Sequence, residues 1–131
     1  MKILLITGSR TGWTYEEFKK LVLERYKPED ISLMVFGCAR GVDAFAWRFC
    51  IEYGIQYNRF EADWEHIGNK AGIHRNMDMG KHVLEVAVNR CQIEVLAFRT
   101  DISKGTTHMI KYSQSLGLDV VIFDKSSFTF E

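Results

Sequence analysis

The chain has 131 residues, 47% hydrophobic and 26% charged, which suffices for one domain with a proper core and is too short for two. Seventeen basic residues balance seventeen acidic ones, so the basic excess usual in nucleic-acid binders is missing and nucleic acid is not an expected partner. Three cysteines, at 38, 50 and 91, form no CxxC pair, which suits a reduced, cytoplasmic protein, and no apolar stretch is long enough for a signal peptide or a membrane span.

Residues 2–7 are a continuous apolar run ending at Gly8, as expected of a central parallel strand buried on both faces. A loop through Trp13 follows. Thr14 and Glu17 then form a capping-box pattern, with Tyr15, Phe18, Leu21, Val22 and Tyr26 on one helical face and Pro28 as a stop. Ile31 to Phe36 reads as the second strand, and a helix after Gly41 carries Val42, Phe45, Ala46, Phe49, Cys50 and Tyr53 at helical spacing, with Gly54 as its cap. Ile55 to Phe60 alternates, which predicts a third strand toward a sheet edge. Residues 61–72 read as a loop into a long helix of roughly 70–90, with Ile73, Met77, Leu84, Val88 and Cys91 as its buried stripe and Gly80 marking a bend or close packing. Ile93 to Phe98, a helix from Thr106 to Leu116 and Leu118 to Phe123 complete a strand-helix alternation. The expected fold is a single three-layered α/β domain, with a mainly parallel sheet of about five strands and helices on both faces.

In such a sheet ligands bind beyond the carboxyl ends of the strands, where this order gathers the loops at 8–13, 37–43, 62–72 and 99–107. Three of those loops join glycine to hydroxyl or guanidinium groups close to the start of a helix. Gly8, Ser9 and Arg10 follow the first strand. Gly37, Arg40 and Gly41 follow the second, and Gly105, Thr106 and Thr107 the fourth. Backbone N–H groups at helix N-termini, hydroxyls and arginine forks all suit phosphate oxygens, although serine and threonine also cap helices with no ligand present. Asp43, in a first helical turn, would repel a nearby phosphate, so it is expected to accept from a sugar hydroxyl or to orient Arg40. Neither a Walker A loop nor GxGxxG is present.

"TGSR" at 7–10, "GCARGVD" at 37–43, "ADW" at 62–64, "AGIHRNMDM" at 71–79 and "KGTTHM" at 104–109 occur together in order, over nearly the whole chain. In this set the chain resembles the SLOG superfamily, in its small YspA-like, YpsA-related branch. The resemblance implies a Rossmann-like fold and a nucleotide-derived ligand held across these loops. Relatives in that superfamily include the cytokinin-activating phosphoribohydrolases, the DNA-processing protein DprA and sensor domains for nucleotide messengers in bacterial immunity. Arg75 matches the arginine of the hydrolases' R-K/N-x-x-M motif, and Gly105 and Thr106 match the end of their PGGxGTxxE motif. The proline and preceding glycines of that motif are absent, and its glutamate falls at Met109, which can serve neither as acid nor as base.

Among other constellations, His74, Asp78 and His82 stand four apart and would share a helix face, where a solvated surface is the simpler reading than a metal site. Trp64 can stack on a base or pack at the sheet edge, and Trp13 can meet a ligand or the core. Cys38 has no base beside it in sequence and reads as a small packing residue. The expected function is therefore binding of a nucleoside phosphate or an ADP-ribose-like messenger, as a sensor or sequestering protein that oligomerises or acts with a partner. Gly8, Ser9, Arg10, Gly37, Arg40, Gly41, Gly105, Thr106 and Thr107 are assigned to phosphate, and Asp43, Trp64, Arg75 and Asn76 to ribose or base. No metal or cofactor is expected. The alternative is hydrolysis of an N-glycosidic bond in such a ligand, with Arg75 and Asp43 (or Asp63 in its place) as the working groups.

Overall fold

Alternation along the strands decides the architecture. The structure, a computed structural model, describes residues 1–63, 65, 68–100 and 104–125. Five strands, β1 (Lys2–Gly8), β2 (Ile31–Gly37), β3 (Tyr57–Phe60), β4 (Ile93–Thr100) and β5 (Asp119–Lys125), form one parallel sheet in the order β3-β2-β1-β4-β5. Successive side chains of a strand face opposite sides. Leu4, Ile6, Met34, Phe36, Leu96 and Phe98 therefore belong to one core, under α1 (Tyr15–Arg25) and α2 (Val42–Tyr53). Ile3, Leu5, Val35, Ile93 and Val95 belong to the other, under α3 (Ala71–Val86) and α4 (Lys104–Ser115). The domain is thus α/β, Rossmann-like and three-layered, as its alternating strands and helices led one to expect.

Local signals hold where the sequence placed them. Glu17 N donates to Thr14 Oγ1 and Thr14 N to Glu17 Oε1, completing the capping box of α1. Gly54 caps α2 in the left-handed region at φ +67°. β3 pairs only with β2 and is an edge strand. Phe18 packs on Phe98 with ring centroids 4.9 Å apart and edge-on against Phe49 at 6.0 Å, and burying each such ring contributes about 2–3 kcal/mol.

The helix expected over 70–90 is shorter, and its buried stripe is a different one. Ile73 is 45% and Val88 96% exposed, and Cys91 is exposed, whereas Ala71, Asn76, Met79, Gly80 and Val83 are buried. Met77 and Leu84 are half-buried at the margin of that face. The inward face joins the core residues Met79 and Val83 to the small or polar Ala71, Asn76 and Gly80, and α4 packs close to it at Gly80. A Cβ at Gly80 would lie 2.7 Å from the Tyr112 ring, so Gly80 marks close packing. Among the described residues no helix is long and apolar enough to cross a membrane.

Candidate functional site: a cationic cleft at the carboxyl edge

The chain runs outward from β1 through β2 to β3, then returns to place β4 on the other side of β1. The loops after β1 and β4 consequently diverge, which opens a crevice at the carboxyl ends of the strands. A cleft of about 330 Å³ lies there. Thr7, Gly8, Ser9, Arg10 and Thr11 line it from the end of β1, and Ala39, Arg40 and Asp43 from the turn into α2. Arg75, Asn76 and Met79 of α3 face them, with Thr100 at the end of β4 and Lys104, Gly105 and Thr106 at the start of α4.

Backbone contacts tie the first loop both to β4 and to the turn into α2. Ser9 N donates to Phe98 O (2.9 Å), and Val42 N donates to Ser9 O (3.2 Å). Gly41 has φ +79°, and a Cβ there would lie 2.6 Å from both the Ser9 and Arg10 carbonyl oxygens. Only glycine fits such a crossing, so Gly41 shapes the cleft without lining it.

Asp43 is 7% exposed. Its Oδ2 accepts from Ala39 N (3.2 Å), and the Gly37 N–H also points at this carboxylate. Two N–H groups of the 37–41 turn are in this way directed at the protein's own acid. Burial pushes the Asp43 carboxyl up to about 6, against the opposing pull of Arg75, the Ala39 and Gly37 N–H groups and Arg10. Arg75, and not Arg40, is its main cationic neighbour. A Cβ at Gly37 would lie 2.8 Å from both Arg75 Nη1 and Asp43 Oδ2, so the absence of a side chain at Gly37 lets both groups close over β2. Arg75 Nε is buried and has no hydrogen-bond partner among the described residues. A buried donor left so costs about 1–3 kcal/mol.

Asn76, buried at 3% exposure, turns its amide to α4: Nδ2 donates to Gly105 O (3.3 Å) and meets His108 Nδ1 at 3.2 Å. It fixes the N-terminus of α4 against α3. His108 also stacks on Tyr112. Gly8, Ser9, Arg10, Arg40, Asp43, Arg75, Asn76, Gly105 and Thr106 of the expected site all line the cleft, Gly37 and Gly41 lie behind it, and Thr107 is not among its lining residues. Trp64 lies outside the described residues.

Lys104 was missed as a site residue, although it precedes Gly105 at the start of a helix, a position that signals an anion-facing cation. Thr7, in the TGSR motif, and Thr100 also line the cleft from the ends of β1 and β4, and Thr100 carries no mark of it in the sequence. Met109, where the resemblance to the hydrolases would place a glutamate, is fully buried in the core under α3 and α4 and does not line the cleft. Trp13 packs edge-on against Phe98 (5.4 Å) beneath Lys125, on the core side. No group of three His, Cys, Asp or Glu among the described residues is arranged to hold a metal, and His82 instead meets Asn58 Nδ2 at 2.7 Å.

The gene 61 protein of Mycobacterium phage D29 is 33% identical over 132 aligned positions, covering 94% of this chain and 97% of the phage protein. The chain belongs to the family of this phage protein. No family model matches it. No solved structure matches it.

Proposed function

We propose that this member of the gene 61 family binds a nucleotide-derived ligand in the carboxyl-edge cleft, with the ligand's phosphate facing Arg10, Arg40, Arg75 and Lys104. The carrying observation is that, among the described residues, four cationic side chains and one acid, Asp43, line a single cleft in a chain whose net charge is zero. Such a local surplus suits a polyanion of small volume, since guanidinium groups recognise phosphate through charge-assisted forks. The N-terminus of α4, with Gly105 and Thr106, adds backbone donors and a hydroxyl. The motif-level resemblance to the SLOG superfamily favours a nucleotide over other polyanions, and the relative's phage origin is in keeping with a sequestering role.

Calorimetric titration with adenosine, AMP, ADP and ADP-ribose tests this reading. Affinity that rises with phosphate content supports it, and equal affinity for the nucleoside and its phosphates overturns it. One observation favours a second reading, hydrolysis of the N-glycosidic bond. Asp43 is a cleft carboxyl held at about 6 by burial, in the range useful for a general acid or base, with Arg75 beside it. Release of free base on prolonged incubation, lost in both Asp43→Asn and Arg75→Ala, would support that chemistry. Turnover retained in both would remove the assigned roles.

A further inference from the structure

We infer that the cleft takes up its anionic ligand together with a proton, which settles on the Asp43 carboxylate. The inference rests on the anion-binding reading above and concerns how that same site is regulated. Asp43 lines the cleft yet is 7% exposed, so its charge depends on its neighbours far more than on water. Arg75 faces it from α3 and Arg10 from the loop after β1, while the Gly37 and Ala39 N–H groups face it from the turn before α2. Arg40 and Lys104 complete the charged lining.

An arriving phosphate acts on this carboxyl in three ways, all in the same direction. It adds a like charge where solvent screening is weak. It draws the Arg10 and Arg75 guanidinium groups toward itself and away from the carboxylate. It also displaces the water that remains around the acid. Each change favours neutral over ionised Asp43. The proton comes from solvent and binds one carboxyl oxygen, and the other can still accept from the Ala39 N–H. Burial already holds this carboxyl at about 6, so a modest further rise brings its titration to neutral pH. Linkage then makes binding tighter in acid, by about tenfold for each pH unit between the free and the bound pKa.

The test is the carboxyl carbon-13 shift of Asp43, assigned by sequential backbone connectivity and followed against pH with and without inorganic sulfate. Sulfate keeps a constant charge across this range, so any proton taken up belongs to the protein. A midpoint near 6 that moves upward in saturating sulfate supports the inference. A midpoint unmoved in sulfate-saturated protein overturns it and leaves the anion site standing. Absence of any saturable amide-shift change at Arg10, Arg40 and Gly105 at every pH overturns the anion site itself, and the proposed function with it. In a second measurement, wild-type affinity for sulfate is expected to be about tenfold higher at about pH 5 than at about pH 8. Asp43→Asn is expected to bind equally at both, and a variant that kept the wild-type dependence would also overturn the inference.

Discussion

Charged side chains gather at both edges of the sheet, and the two edges settle their charge differently. At the amino edge Glu94 meets Lys2 Nζ (3.0 Å), Arg25 Nη2 (3.8 Å) and the Tyr26 hydroxyl (2.6 Å). Each of these four groups has a partner within the protein. Among the described residues that line the cleft at the carboxyl edge, four cations stand with one acid, and Arg75 Nε lies buried without a partner among them. The first arrangement ties down strand ends and a helix terminus. The second leaves attraction unspent, which is what a binding site for an anion requires. The two acids carry the same contrast. Burial tends to raise Glu94, but the Tyr26 hydrogen bond and then Lys2 and Arg25 outweigh it and hold the carboxyl below its usual range. For Asp43 burial wins.

The largest effect expected is at the backbone crossing behind the cleft. Gly41→Ala places a Cβ against two carbonyl oxygens at a φ that side chains rarely adopt. It should cost about 3 kcal/mol or more, read as a lower urea midpoint, and abolish ligand binding. A fully stable, binding-competent variant would show that the two loops are not rigidly welded.

Next come the two acids, whose pH dependences should have opposite signs. Asp43 rises from 3.8 to about 6 on folding, so its contribution is fully present below about 3.8 and lost as pH rises through 6, about 3 kcal/mol in all. Glu94 is lowered on folding, so its contribution is present above the usual glutamate range and lost as pH falls through its folded value. Thermal unfolding against pH should show Asp43→Asn flattening the loss of stability between about pH 4 and 7. Glu94→Gln should flatten only the loss at lower pH and cost about 1 kcal/mol at neutrality. Equal profiles for both variants would break the comparison.

Arg75→Ala should weaken binding of a nucleoside phosphate by about ten- to a hundredfold, the worth of a charged hydrogen bond, measured by calorimetry. Lys2→Ala, at the opposite edge, should leave that affinity unchanged. The smallest effect belongs to the exposed Arg99–Asp124 pair (2.7 Å), where Arg99→Ala should not measurably change the unfolding temperature or ligand affinity.

Much of this contrast could be anticipated from residue order. The apolar run of residues 2–7 and the alternation of strands with helical patterns were enough for a parallel sheet, because burial on both faces requires that composition. Thr14, Glu17 and Gly54 marked helix ends through hydrogen bonds that span only three or four residues. The stripe of α3 was misjudged for the opposite reason. Its inward face is set by Tyr112 and Leu116, thirty residues and more away, which close on Gly80 and leave Ile73 in solvent.

The site divides along the same line. Sequence by itself determined which loops meet at the carboxyl edge, since a right-handed parallel sheet sends every strand's exit to one side. It also determined the supply of glycines, hydroxyls and arginines in those loops. Only the tertiary structure decided that Arg75 rather than Arg40 attends Asp43, that Lys104 joins the cleft and that Met109 leaves it for the core. These outcomes depend on distances between side chains from different helices and loops. Such distances follow from how α3 and α4 pack on the sheet, which no local pattern encodes.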